Sequence, residues 1–366
     1  MGALAVLITA YSLAAATLSA GYITVYRLKI TYLAEGTGKI GEEIFSKTFP
    51  IAPDIEGWQR TVNYTLYLNG RTIHVFVKRD SQGNRYAYAG HDIAINGKAN
   101  ITLVEYVEVI PPPLRERKIP PESPCAREET YKQMLYLEGF WGHPFNGVSL
   151  SDLKQLSESL DGTSKITYIY RVIEWVLSNT EYRLGVNGGV MYPTEFYVEK
   201  HGACGDIHSF IVTMLRIKRI PSYVYYALIY RRGASAEMSS RKASFKTVNA
   251  LPHIFATVRL CGRDFPVDLT YPAARDPLSA IRNAGINTGD NVVVLYRILD
   301  ANPNDYLLVY APSNNSRVNV EIEITKNSYF TSNRPPLLAI AALALLAALA
   351  VISLLKSTST VGTYNV

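Results

Sequence analysis

Nineteen consecutive residues, Leu337 to Leu355, carry no charge and a single hydroxyl, that of Ser353. A helix of that length crosses the hydrocarbon core of a bilayer, and a helix satisfies its backbone polar groups internally. The first 26 residues are also free of charged side chains, Arg27 being the first. Residues 1–27 therefore read as a transmembrane signal-anchor or a signal peptide, the missing Lys/Arg run at their start arguing against cleavage. Residues 336–356 read as a second membrane helix and residues 357–366 as a polar tail. Two spans leave both ends of the chain on one side and the body on the other. Arg27, Lys29 and Arg334 flank the body whereas the tail offers only Lys356, a count that by itself favours a cytoplasmic body.

The body has the composition of a folded chain, with 48% hydrophobic and 19% charged residues in the whole sequence, and its length leaves room for two domains. Its first part reads as strands. Arg60–Leu68 turns at Asn69-Gly70 into Thr72–Val77, a strong hairpin signal. Asp80-Ser-Gln-Gly-Asn84 gives a second turn before Arg85–Ala89, and Asn100–Ile110 closes the series. Residues 28–110 are expected to form a small β-sandwich. Pro111-Pro-Pro and Pro120-Pro121 mark residues 111–125 as a stiff linker. Gly36-x-Gly-x-x-Gly41 matches a nucleotide-binding pattern, but no βαβ context surrounds it and a loop is the expected structure. The net charge of +6 is spread over short clusters such as Arg115-Glu-Arg-Lys118 with no reader motif, so no nucleic-acid partner is expected.

The chemistry-bearing residue is Cys204. It opens an apolar helical run, Cys204-Gly-Asp-Ile-His-Ser-Phe-Ile-Val-Thr-Met-Leu-Arg216. A thiol in the first helical turn lies among unsatisfied N–H groups and at the positive end of the helix dipole, where the attacking thiolate is favoured. Leu251–Leu260 reads as a strand, Arg263–Pro272 as a second strand ended by proline, and Cys261-Gly262 as the hairpin turn between them. The hairpin puts His253 beside Asp268, so that a carboxylate can orient the imidazole while its other nitrogen faces the thiol. A lone cysteine in such a place is usually a small buried hydrophobe, and it is the two partners that reverse this reading. His201 and His208 are rival bases by proximity, with a cap and a helix-packing role as their bland alternatives. Cys204-x-x-x-His208 has metal-ligand spacing, but two ligands without a second pair do not make a site, and no metal or cofactor is expected.

With these residues in order, the chain resembles the transglutaminase-like superfamily of papain-like thiol enzymes. The resemblance rests on Gly202-Ala-Cys204 with its helix and the strand after Ile220-Pro221, on His253 followed by the aromatic Phe255, and on Asp268-Leu-Thr270. Ile173–Tyr182 is similar to the helix that precedes the nucleophile. Two positions depart: Arg219 stands where the family usually has glycine, and Phe255 where it usually has tryptophan. The resemblance implies an α+β, papain-like transglutaminase core, with the Cys helix on an antiparallel sheet, over residues 126–330. It implies Cys204 as nucleophile, His253 as base and then acid, and Asp268 as the group that orients His253.

The expected protein is thus a membrane-anchored thiol enzyme acting on amide bonds of a protein or peptide substrate, with hydrolysis favoured over cross-linking because neither a calcium loop nor an amine-acceptor pocket is legible. Two alternatives stay open, an inactive catalytic fold serving as an envelope binding module and a glycopeptide amidase related to peptide N-glycanases. Three Asn-x-Ser/Thr triplets, at Asn63, Asn100 and Asn314, and the frequent surface location of the family favour an extracytoplasmic body at the cell membrane. Reserving Cys204 for chemistry leaves Cys125 and Cys261 free to pair in an oxidising compartment, two separate thiols being the equal alternative. The second oxyanion donor and the oligomeric state are not legible.

Overall fold

The computed structural model describes residues 22–109, 132–162, 164–183, 189–270, 291–306 and 310–331. Residues 24–327 make one compact unit; of a second, residues 1–23 and 328–366, only the ends of two strands are described. The linker, Cys125 and the second membrane span lie outside the described residues, as does the first span up to residue 21. Among the described residues no helix is long and apolar enough to cross a membrane.

The chain begins with β1 (Tyr22–Ile40), helix α1 (Glu42–Thr48), β2 (Pro50–Ile51), β3 (Gln59–Leu68), β4 (Arg71–Ile73), β5 (Phe76–Arg79), β6 (Arg85–Tyr88) and β7 (Ile93–Val109). Helices α2 (Leu150–Ser159) and α3 (Lys165–Asn179) lead to β8 (Glu181–Tyr182), α4 (Pro193–Glu199), β9 (His201–Gly202) and α5 (Cys204–Ile217). β10 (Ser222–Ser239), β11 (Ala243–Leu260), β12 (Arg263–Val267), β13 (Val292–Ile298) and β14 (Ser316–Thr331) follow. Residues 22–27, assigned above to the first span, therefore already belong to β1, whose Thr24 pairs with Val109 of β7. Pro303–Tyr306 form a 3-10 turn.

The result is a mixed α+β fold on one large sheet. Nine strands make it, in the order β13-β10-β11-β14-β1-β7-β3-β4, with β12 paired to β11. This corrects the separate β-sandwich expected over residues 28–110. β14 returns from the far end of the chain to run parallel to β11 and lie beside β1, so both groups of strands share one ladder. β2, β6 and β5 form a second, three-stranded sheet. The glycine pattern near residue 36 is strand rather than loop. A Cβ on Gly36 would come 2.3 Å from the Asn315 carbonyl oxygen, so the glycine admits a close backbone approach.

Side-chain amides from the N-terminal part satisfy the outer edge of β13. Gln59 donates to the carbonyl of Val294 at 2.9 Å and accepts its N–H at 2.8 Å. Asn84 does the same for Arg297, at 2.8 and 2.7 Å. Gln82 accepts the N–H groups of Leu299, Asp300 and Ala301. An edge strand without such partners leaves a row of open backbone groups.

α5 is buried along nearly its whole length. It ends in a Schellman motif: the N–H of Arg219 reaches the carbonyl of Arg216 at 2.9 Å and that of Ile220 reaches Leu215 at 3.0 Å. Arg219 has φ +56°, the left-handed region where glycine carries no Cβ penalty. Arg216 is buried and has no ion pair with a carboxylate among the described residues. Its guanidinium donates to the carbonyls of Tyr136, Ser222 and Leu299 and lies 4.1 Å over the Trp141 ring, tying the helix end to β10 and β13.

Candidate active site

Cys204 is the first residue of α5, after Ala203 at the N-cap. Alanine offers no side-chain acceptor, so no cap consumes the first-turn N–H groups around the sulfur. The entry to the helix is held by Asp206 instead, a residue the sequence reading passed over. One of its oxygens accepts the N–H of Ala203 at 2.6 Å and the other that of Met191 at 2.7 Å. An acid at the third helical position, reaching back to the cap, is the local signal that could have found it. Burial holds the Asp206 carboxyl above the usual carboxylate range. Gly202 makes room for it, since a Cβ there would lie 2.7 Å from an Asp206 carboxylate oxygen.

His253 and Asp268 are delivered by β11 and by the residue that follows β12. Cys261 (φ +51°) and Gly262 (φ +72°) are both left-handed, as a two-residue hairpin turn requires, and set the register Leu260↔Arg263 through Ala256↔Val267. The register brings the two side chains together: His253 Nε2 donates to Asp268 Oδ2 at 2.7 Å. The other Asp268 oxygen accepts the N–H of Thr270 at 3.0 Å and its hydroxyl at 3.2 Å. Cys204 lies close enough to His253 for the thiol to favour the charged imidazole.

Burial works against a charged His253. The charge of Asp268, its hydrogen bond and the contact with Cys204 outweigh burial and raise the imidazole to about 10. Burial opposes ionisation of Asp268 too, but His253 and the Thr270 N–H hold it below the usual range. The pair is thus built to hold an imidazolium against a carboxylate at neutral pH.

His208 is buried and turned to the backbone, and His201 places Nδ1 2.8 Å from the Glu199 carbonyl oxygen. Among the described residues no cluster of three His, Cys, Asp or Glu could hold a metal ion. Cys204 is a free thiol and Cys261 is disulfide-bonded, its expected partner Cys125 lying outside the described residues.

The aromatic wall beside His253 is larger than the sequence suggested. Phe255 stacks on the His253 ring at 6.0 Å, and Trp58 stacks on Phe255 at 5.6 Å. An indole is therefore present near the position where Phe255 departs from the family, but it comes from the N-terminal part of the sheet. No local signal marks it. Tyr182, half exposed on β8, is fixed by pairing with Gly202. Burial, then the nearby Cys204, Asp268 and Asp206, push its phenol up to about 12.

A family model of the transglutaminase-like superfamily matches residues 154–264. This stretch is a transglutaminase-like domain. The match contains Cys204 and His253 and stops four residues before Asp268. The structure of a proposed cysteine protease from Cytophaga hutchinsonii is similar at 13% identity and a TM-score of 0.48, covering 84% of this chain and 93% of that one. The periplasmic domain of TgpA from Pseudomonas aeruginosa, bound to ethylmercury, is similar at 12% identity and a TM-score of 0.32, covering 72% and 95%. A proposed protease from Parabacteroides distasonis has 10% identity and a TM-score of 0.28, covering 71% and 62%. No curated protein sequence matches the chain.

Proposed function

We propose that this protein is a thiol enzyme, anchored in the cell membrane by its terminal segments with its body extracytoplasmic, that hydrolyses peptide or isopeptide bonds through Cys204, His253 and Asp268. The observation that carries the reading is the 2.7 Å bond from His253 to a buried Asp268 held in its charged form, beside a free, partly exposed thiol that favours the charged imidazole. A fold kept only for binding has no need of it.

In this reading the Cys204 thiolate attacks the carbonyl carbon of the amide, and the backbone N–H of Cys204 faces the oxygen on which charge develops. The imidazolium of His253 gives its proton to the leaving amine as the C–N bond breaks, leaving a thioester on Cys204. Neutral His253 then takes a proton from water, whose oxygen attacks the thioester. The carboxylate product leaves, the thiolate returns, and Asp268 stays ionised throughout.

The test is labelling of the full chain, in detergent, with a thiol-reactive amide mimic, followed by peptide mapping. Label on Cys204 that is lost in His253→Ala is the expected result. Labelling of Cys204 at the rate of an ordinary exposed thiol, indifferent to His253→Ala, would overturn the reading.

A further inference from the structure

We propose that His208 is a positioning residue, a neutral imidazole that fixes the nucleophile-bearing residue Cys204 against the segment carrying Asp268. The proposal rests on the triad reading above and adds to it the element that holds the two ends of the triad at a set distance.

His208 is one helical turn after Cys204 and has no exposed surface. Its Nδ1 donates to the carbonyl oxygen of Cys204 at 2.7 Å. A carbonyl can only accept, so the proton is on Nδ1. Its Nε2 accepts the backbone N–H of Leu269 at 3.0 Å, which requires that this nitrogen carry no proton. One ring therefore bonds the main chain of the nucleophile and the main chain of the residue directly after Asp268. Both nitrogens are consumed, which removes His208 as a base for Cys204 and as a metal ligand.

Among the described residues, Asp268 and His253 are the titratable groups that face the ring, and they show why its neutrality matters. Asp268 Oδ1 is 3.6 Å from His208 Nε2, and the His253 ring stands nearly perpendicular at 6.3 Å. A proton on Nε2 would break the bond from Leu269 and offer Asp268 a second cationic partner, in competition with His253. Burial disfavours that proton and lowers His208 to about 4. The uncharged ring leaves Asp268 to His253 and Thr270.

Three substitutions separate the two bonds. In His208→Leu both are lost; in His208→Asn the amide can replace Nδ1 at the Cys204 carbonyl, and in His208→Gln it can replace Nε2 at Leu269. The measurement is the rate of Cys204 alkylation by iodoacetamide across pH in the full chain, with cooperative thermal unfolding as the check on folding. We expect the leucine variant to react about tenfold more slowly at neutral pH, with a profile moved toward that of a free thiol. Asparagine and glutamine should each recover part of the loss. Folded variants whose profiles all superimpose on the parent would overturn the proposal, and if the leucine protein does not fold, the asparagine and glutamine proteins decide by the same criterion. His253→Ala serves as the control. A profile unchanged by it sinks the triad reading itself, whereas sensitivity to His253→Ala with indifference at residue 208 sinks only the positioning role.

Discussion

His253 and Asp268 meet at 2.7 Å with both side chains withdrawn from water, so each holds the other in its charged form. Replacing Asp268 by asparagine removes both the charge and the orientation of the ring. His253 should fall back toward its ordinary range, and the rate of Cys204 acylation at neutral pH should drop by about 10³-fold or more. Single-turnover kinetics on any accepted amide or thiol-reactive mimic checks this, and a loss below tenfold would contradict it.

The histidines also predict the pH dependence of stability. His253, raised to about 10, is protonated in the folded state where the unfolded chain has lost the proton. Its contribution is full below about 6.5 and is lost as pH rises toward 10. His208, lowered to about 4, acts in the opposite sense: below about 6.5 the unfolded chain binds the proton and the folded one does not, so stability falls on acidification toward pH 4. Asp268, held low, contributes above its unfolded value and loses that contribution at lower pH. By themselves these three groups place the stability maximum near pH 6–7, and the alkaline limb of urea unfolding should move to lower pH in Cys204→Ala, which lacks one of the contacts that raise His253.

Arg219 occupies a left-handed position at the end of the Cys helix, where a Cβ is disfavoured. Arg219→Gly should raise stability by up to about 1 kcal/mol, the relief of strain being partly offset by the greater freedom of glycine in the unfolded chain. A urea midpoint below that of the parent would show that the arginine side chain contributes more than the strain removes.

Gln59→Ala strips both backbone groups of Val294 of their partners on a fully buried stretch of β13. The expected cost is about 2–4 kcal/mol, measured by denaturant unfolding, with faster hydrogen exchange at the Val294 amide as its local signature.

Glu105 is buried in β7, where burial pushes its carboxyl up to about 8. One oxygen accepts the Ala52 N–H at 3.1 Å, and the other has no hydrogen-bond partner among the described residues. Between about pH 4.5 and 8 the folded state keeps a proton that the unfolded chain has released, so stability falls as pH rises through this window. Glu105→Gln should flatten that slope in a comparison of urea unfolding at pH 5 and pH 8.

What could be read in advance at the candidate site was local. The His–Asp hairpin follows from Cys261-Gly262 and the flanking strand residues, because a two-residue turn sets its own register. The helix beginning at Cys204 follows from its apolar run. Asp206 carried a local signal as well, an acid three residues beyond the cap. The part played by Trp58 carried none, since its contact with Phe255 joins residues nearly two hundred positions apart.

The sequence by itself determined the chemical inventory: one thiol at a helix start, an imidazole and a carboxylate on paired strands, and uncharged segments at both ends. These are properties of composition, period and turn chemistry, which act over a few residues. Only the tertiary structure decided that β14 inserts between β11 and β1 and makes one sheet of strands that read as two domains. It also turned His208 from a neighbour of Cys204 into a bridge to Leu269. Such pairings close long loops, and they are selected by burial and by the need to satisfy every buried N–H and carbonyl, conditions that no short stretch of sequence contains.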